Sequence, residues 1–307
     1  MLEKIVLVTR RTRLEDLTVR FNTRAQARFF ITRAGGDFAD YEREDDAYRS
    51  ALELVRRALD LGLPLQVVDR ALVPTMLFSA RELVVTLGQD GLVANTAKYV
   101  GAQPIVAVNP DPARFDGILL PFLPQGARAA AERTLGGKHQ VRQVTLAEAR
   151  LSDGQRLLAF NDLYLGSRTH VSSRYRITFG ERTERHSSSG IVVSTGAGST
   201  GWMSSIFNMA RGVAAMLGVQ AQGTPVPLGW EDRRLLFVVR EPYRSRHSEA
   251  GLVAGLVEAG QRLRIESAMP ADGVVFSDGV EADALRFESG ASAEIGAAEQ
   301  RAELVVA

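Results

Sequence analysis

The stretch Leu83-Val84-Val85-Thr86-Leu87-Gly88-Gln89-Asp90-Gly91-Leu92 decides how the first part of the chain is read. Five consecutive apolar or β-branched residues suit a strand buried on both faces, and Gly88 stops it. Val93 and Ala97 then return at helical spacing, so the passage reads as strand, tight turn, helix. Glycines in such a turn let backbone approach a phosphate. The helix start offers free N–H groups and a positive dipole end, and a carboxylate at the bend can accept a proton or face a cation. The same pattern also fits a plain tight turn whose Asp90 only caps the next helix.

Outward from this turn, Lys4 to Val8, Leu65 to Val68 and Ile105 to Val108 are similar short runs, each ended by polar or Gly/Pro punctuation. Between the first two, Tyr48, Ala51, Leu52, Val55 and Leu59 keep helical spacing. This predicts a helix from about Asp46 to Leu61, capped by Asp45 or Asp46 and ended by Gly62. Strands alternating with helices imply a parallel sheet with its ligand site at the strands' carboxyl ends. Arg10 to Arg43 is long, Arg-rich and without clear period, and reads as a surface excursion unless a site lies beneath it.

After Phe122 the pattern changes. Leu157 to Leu165, Arg174 to Phe179, Ile191 to Ser194, Leu235 to Arg240, Arg262 to Ile265 and Gly273 to Phe276 are strand-like, with one helix from about Ser204 to Leu217. The expected architecture is an α/β N-terminal domain, a parallel sheet with flanking helices, over residues 1–125, followed by a β-rich C-terminal domain over residues 126–307. The chain's end can pack back onto the first domain.

Composition narrows the function. The 307 residues, 45% hydrophobic and 24% charged, suffice for two domains with their own cores. Thirty-seven basic against 36 acidic side chains give no global reason to expect nucleic acid or an anionic membrane as partner. Cysteine is absent, which removes disulfides, thiolate nucleophiles, iron–sulfur ligation and cysteine zinc sites. No apolar run approaches the ~18 residues of a membrane span, and the N-terminal run is too short for a secretory signal, so a soluble cytoplasmic protein is expected. The four histidines lack metal or triad spacing, no metal-ligand set is assigned, and no GxxxxGK[ST] segment exists for a P-loop kinase.

Two further stretches could carry chemistry. Ser189-Gly190-Ile191-Val192-Val193-Ser194-Thr195-Gly196-Ala197-Gly198-Ser199-Thr200-Gly201-Trp202 spells GxGxxG through Gly196, Gly198 and Gly201. A Rossmann reading fails because the segment lies in the β-rich half and the first acidic residue after it is Glu231, too far on to hold a ribose. What remains is a hydroxyl-rich, glycine-rich loop suited to phosphate oxygens, followed by Trp202, either a ring platform or a core aromatic. Asn161-Asp162 interrupts the run Leu157 to Leu165. An amide and a carboxylate beside a sheet can divide the hydroxyls of a sugar, or simply mark a bulge.

In this order the three segments resemble the NAD kinase family, whose members carry a Gly-Gly-Asp-Gly-Thr turn, then an Asn-Glu pair, then a Gly-Asp-Gly strand leading to Thr-x-x-Gly-Ser-Thr-Ala-Tyr. The mitochondrial-type branch is the closer match, through Val108-Asn109-Pro110-Asp111-Pro112 with Gly117, Asn161 to Gly166 with Ser172-Ser173-Arg174, Ser188-Ser189-Gly190, Arg240-Glu241-Pro242, Asp278-Gly279 and the Arg13 to Arg24 arm. The resemblance implies ATP-dependent phosphorylation of the adenosine-ribose 2′-hydroxyl of NAD to give NADP, with Mg²⁺ or another divalent cation on the donor phosphates, in a homodimer or higher oligomer. It implies that Asp90 is the base or orienter of that hydroxyl and that Gly88 and Gly91 shape the phosphate turn. Asn161 and Asp162 would contact ribose and pyrophosphate, with Asp162 where the family has Glu. Thr200, Gly201, Trp202 and Ser205 would stand around the adenine and nicotinamide ends, and Ser189 takes the place where most members carry Asp and the mitochondrial-type branch carries Ser.

Two departures lie in the turn itself. Gln89 replaces the family's second Gly and Leu92 its Thr. If that Gly is needed at positive φ, the side chain costs ~1–2 kcal/mol of strain. The alternative is therefore a weakened or inactive NAD(P)-binding protein of the same fold. A lipid or sugar kinase sharing the Gly-x-Asp-Gly turn ranks below both, since the Thr195 to Trp202 loop matches dinucleotide users.

Overall fold

In the computed structural model, residues 2–219 and 227–306 are described. The chain divides into two units, Met1–Arg142 with Glu303–Ala307, and Gln143–Ala302.

The first unit contains β1 (Lys4–Thr9), α1 (Arg13–Phe21), α2 (Arg24–Arg33), α3 (Phe38–Ala58), β2 (Leu65–Asp69), β3 (Glu82–Leu87), α4 (Asp90–Ala97), β4 (Pro104–Val108) and α5 (Ala127–Leu135). The strands lie in the order β2-β1-β3-β4, all parallel. β3 is buried at every position: Leu83–Leu87 is an apolar or β-branched run, and the buried Glu82 before it pairs with Lys4 at 2.8 Å. α3 and α5 cover one face, packing Tyr48, Val55, Leu59, Ala127, Ala130 and Ala131 onto Ile5, Leu7, Leu83, Val85, Val106 and Val108. From β1 the chain moves outward to β2 and then returns to β3 on the other side. The strand order therefore reverses between β1 and β3, and a crevice at the carboxyl ends of these two strands is the place where such sheets bind ligands.

Two expectations change here. The helix read as Asp46 to Leu61 begins eight residues earlier, at Phe38, because Asp37 accepts from the Ala39 N–H and caps it; Gly62, at φ +74°, lies in the turn that follows. The Arg10 to Arg43 segment is no surface excursion. It forms α1, α2 and the start of α3 around a small core of Leu14, Ala27, Ile31 and Phe38.

The second unit holds most of β5 (Val141–Leu151), β6 (Arg156–Ala159), β7 (Asp162–Ser167), β8 (Ser173–Phe179), β9 (Arg182–Ser188), β10 (Ile191–Ser194), α6 (Trp202–Met216), β11 (Leu235–Val239), β12 (Ala254–Val257), β13 (Leu263–Ser267), β14 (Gly273–Ser277), β15 (Val280–Arg286) and most of β16 (Ser292–Val305). One sheet runs β12-β11-β10-β7-β14-β15; facing it, β16, β13, β8 and β9 pair in that order, with β5 and β6 beside β16. Leu163, Leu165, Ile191, Val193 and Phe237 from the first sheet meet Tyr175, Ile177, Ile265 and Ile295 from the second in one core. The six-stranded sheet's other face packs Tyr164, Val192 and Val274 against Met203, Ile206 and Phe207 of α6.

The division falls after Arg142 rather than after residue 125, because the alanines of α5 belong to the first unit's core. The last residues return to that unit, where Glu303 and Leu304 pair parallel with Pro104 and Ile105 of β4. The run Leu157 to Leu165 is two strands, broken at Phe160 and Asn161, and α6 starts at Trp202, two residues before its expected start. Among the described residues no helix is long and apolar enough to cross a membrane.

Candidate functional site

Asp90 is the first residue of α4, directly beyond the carboxyl end of β3. Gln89 is the helix N-cap, its side chain makes no cap bond, and its φ of −95° is ordinary for any residue. The strain expected from replacing Gly by Gln is therefore absent. Leu92 is 1% exposed. A Cβ on Gly88 would come within 2.7 Å of Leu92 Cδ2, so Gly88 is bare because Leu92 fills the space beneath it. At Gly91, which is exposed, a Cβ would meet nothing within 4 Å; the turn is open on that side.

Nor does Asp90 act as a simple cap. Its Oδ1 accepts the Leu119 N–H at 2.6 Å, a bond across to the loop after β4. Asn109 builds that loop: its Nδ2 donates to Phe115 O at 3.0 Å, its Oδ1 accepts the Asp111 N–H at 3.0 Å and its own N–H donates to Phe122 O at 2.8 Å. Gly117, at φ +65°, is required where a Cβ would stand 2.6 Å from Asn109 Nδ2. One carboxylate oxygen of Asp90 is thus fixed by a rigid loop, which orients the other.

A residue not read from the sequence lies against the turn at Gly88, where a Cβ would stand 3.6 Å from Arg10 Cδ. Arg10 follows β1 as Asp90 follows β3, and its side chain is 9% exposed. The guanidinium sits 5.0 Å from the Tyr48 ring centre and 5.8 Å from that of Phe115, and donates to Glu44 at 2.9 Å. The Tyr48 hydroxyl accepts the Arg10 N–H at 2.9 Å and donates to Leu87 O at 3.1 Å, tying the carboxyl ends of β1 and β3 together. Burial pushes that phenol up to about 12. The available signal was positional, a basic residue directly after the first strand of a parallel sheet.

The arm is locked by charge. Arg13 donates to Glu44 and to Asp40, Arg114 donates to Asp40 at 2.6 Å, and the Thr12 hydroxyl donates to Asp45 at 2.6 Å. Hydrogen bonds from Arg114 and Arg13 hold the Asp40 carboxyl well below the usual range. At Glu44 burial pushes upward, but the bonds from Arg13 and Arg10 outweigh it and the net shift is downward.

In the second unit the Asn161-Asp162 interruption is a built feature. The Asp278 carboxylate accepts the N–H groups of Phe160 at 2.9 Å, Asn161 at 2.7 Å and Asp162 at 3.3 Å. From the other side Thr195 Oγ1 donates to Phe160 O at 2.6 Å, and its N–H donates to Asn161 O at 2.9 Å. With the backbone satisfied, the Asn161 and Asp162 side chains remain without hydrogen-bond partners among the described residues. Asp162 is buried, and its carboxyl is pushed up to about 7, first by burial and then by the charge of Asp278.

The glycines of the GxGxxG segment have packing reasons. A Cβ on Gly198 would run into the Asn161 carbonyl, and one on Gly196 into the carbonyl of Gly229. The loop lies flush on the interruption it helps to hold. Trp202 is half-buried: it stacks on Tyr164 at 5.8 Å and Phe276 at 6.5 Å, with the Arg240 guanidinium 5.4 Å from its ring centre. It is both a packed ring and a partly open one. Asp162 and Tyr164 share the α6 face of the sheet by the two-residue period. The Tyr164 hydroxyl reaches Ser189 O at 3.1 Å, next to Gly190 at φ +98°, where a Cβ would strike the Tyr164 ring. Asp162, Tyr164 and Trp202 therefore lie on the α6 side of the sheet, with the Ser189 carbonyl at the Tyr164 hydroxyl, and Thr200, Gly201 and Ser205 are exposed around the start of α6. A cavity of about 620 Å³ on this unit, lined by Arg174, Arg176, Arg185 and His247, contains none of these residues.

No protein-family model matches the chain. A probable NADH kinase of Oryza sativa subsp. japonica is 27% identical over 222 residues, which make up 64% of this chain and 63% of that protein, less than two thirds of its length. Among solved structures, yeast NADH kinase complexed with NADH superposes with a TM-score of 0.59 at 16% identity, over 100% of this chain and 84% of that one. An NAD kinase from Archaeoglobus fulgidus in complex with ATP gives a TM-score of 0.54 at 15% identity, over 98% and 92% of the two chains.

Proposed function

We propose that this chain, which resembles the NAD kinases in sequence and has their two-domain fold, transfers the terminal phosphoryl group of ATP or a related donor to the 2′-hydroxyl of NAD or NADH. The observation that carries the reading is the Asp90 carboxylate, poised at the carboxyl end of β3 beside the strand-order reversal and oriented by the Leu119 N–H. A carboxylate so held can align an attacking alcohol and take its proton. The uncapped start of α4 and the open side of Gly91 suit donor phosphates, and Arg10 supplies fixed positive charge near them. Asn161 and Asp162 would take sugar hydroxyls, and Trp202 with Thr200, Gly201 and Ser205 would meet the flat ends of the dinucleotide, with Ser189 beside the Tyr164 hydroxyl.

Among the described residues no group of three or more histidines or carboxylates forms a metal cage. The single carboxylate of the turn, Asp90, fits a Mg²⁺ ion carried in by the donor phosphates, where its charge would neutralise theirs. We also propose a homodimer or larger assembly, carried by the family resemblance, and a cytoplasmic location, carried by the sequence reading alone.

The unstrained Gln89 weakens the case for an inactive binding protein. Purified protein incubated with Mg²⁺, ATP and either NAD or NADH should form NADP or NADPH, read by an NADP-specific dehydrogenase. Dinucleotide binding without product for ATP or polyphosphate would favour the binding protein instead.

A further inference from the structure

We propose that Asp278 is a positioning residue, which acts by aiming Asn161 and Asp162 at the sugar of the bound dinucleotide. The inference rests on the kinase reading above and concerns a residue that touches no reacting atom. The strand-like run Leu157 to Leu165 divides into two strands at Phe160 and Asn161. There the chain leaves the sheet of β5 and β6 and enters that of β7, so the N–H and C=O groups at the passage fall between two ladders. Something must fix the backbone there.

The Asp278 carboxylate does so by collecting three successive N–H groups, an anion seated in a concave run of amides. Its own N–H donates back to the Asp162 carbonyl at 3.0 Å. Asp278 itself stands at φ +53°, followed by Gly279 at φ +69°, in the two-residue turn between β14 and β15. That turn presents the carboxylate from a fixed point. Thr195 grips the carbonyls of the same peptide units from the other side, so the backbone under Asn161 and Asp162 is clamped at both its donors and its acceptors.

The clamp has an electrostatic signature. Opposite Asp162, β10 presents Ser194, the adjoining loop presents Thr195, and the charged group acting on Asp162 is Asp278. Its charge adds to burial in keeping the Asp162 carboxyl protonated to unusually high pH. Sugar hydroxyls donate best to the ionised form, so dinucleotide binding should fall as pH drops through about 7.

Asp278→Asn tests this. Asparagine tolerates the left-handed conformation and keeps one acceptor oxygen, but removes the charge and the second acceptor. Expected are a rise of about tenfold in KM and in the dissociation constant for NAD(H) at pH 8, with kcat changed less than about threefold. The acid midpoint of binding should move about one unit lower, since the like charge is gone. A merely structural residue would weaken binding equally at every pH; an unmoved midpoint, or an unchanged KM, overturns the proposal. If Asp278→Asn does not fold, Asp278→Glu keeps the charge on a longer arm and should raise KM while leaving the midpoint near that of the unaltered protein. Wild-type kinetics in that variant overturn the proposal equally. Unaltered protein that neither binds NAD(H) nor yields NADP(H) refutes the kinase reading itself, and this assignment with it. Active unaltered protein with indifferent variants refutes the Asp278 assignment alone.

Discussion

Asp90 shows what one side chain contributes when its neighbours are settled. The Leu119 N–H occupies one carboxylate oxygen at 2.6 Å, so Asp90→Asn can retain that bond through its amide oxygen while losing the basic group. Turnover in the variant should fall by about 10²- to 10⁴-fold, the usual contribution of a positioned base, with NAD(H) affinity within about threefold of the parent. Coupled assay of NADP(H) formation, together with direct titration of the dinucleotide, checks both halves, and undiminished turnover would remove Asp90 from the chemistry. Gln89 and Leu92 argue in the same direction. The first adopts φ −95° without cost, and the second is buried under Gly88, so the turn is an altered packing solution with its carboxylate retained.

At the scale of elements, the buried strands were legible and the arm was not. β1, β3 and β4 announce themselves because both faces are covered and every residue except the leading Lys4 and Glu82 is apolar or β-branched. In α1 and α2 the apolar stripe is thin, because arginines lie over the aromatic rings: Arg13 is 4.5 Å from the centre of Tyr41 and Arg28 is 4.9 Å from that of Phe38. The capping box Thr12 to Glu15 was the one signal that could have placed α1. β5 was hidden differently, since Glu148 is buried between Arg150 and Arg156 and breaks the apolar alternation. In the second unit the interruption, the glycine loop and the Asp278-Gly279 pair were each visible, but not that the Asp278 carboxylate, more than a hundred residues later, binds the backbone of the interruption. Two measurements follow. Glu44, 2% exposed between Arg10 and Arg13, anchors the arm, and Glu44→Gln should lower stability by roughly 3 kcal/mol, the low end for a broken buried pair because Arg13 is 44% exposed. Thermal melting and tryptic cleavage within residues 10–43 read the effect; unchanged cleavage would mean the arm is held by its apolar core alone. Asp162, raised to about 7 in the folded chain, binds an extra proton on folding between pH about 4 and about 7. Stability of the ligand-free protein should therefore decline as pH rises through that window and stay reduced above it. Asp162→Asn should abolish the decline and be more stable by a few kcal/mol at pH 8 while matching the parent at pH 4. Parallel pH profiles of the two proteins would contradict the burial argument.

For the whole molecule, the order of the chain and the composition of its units differ. The first unit takes its last strand from residues 303–305, and β16 belongs to the second unit up to Ala302. An Ala- and Glu-rich tail gives little strand signal, and its place is set by what it covers. Leu304 and Val305 are buried, Val305 inside the core under α3 and α5, and Glu303 and Leu304 pair with Pro104 and Ile105. Without them β4 becomes an edge strand whose every residue is buried in the intact protein, an arrangement that exposes unpaired amides and apolar side chains together. Deleting residues 303–307 should therefore cost on the order of 3–6 kcal/mol, from two lost apolar burials at about 1.5–3 kcal/mol each, and should promote association through the bared edge. Calorimetric melting measures the first effect and hydrogen exchange localises it, since the amides of Ile105 to Val108 should lose protection while those of β10 and β11 keep theirs. A truncated protein that melts with the parent, with β4 still protected, would show that the four strands before it close the sheet unaided.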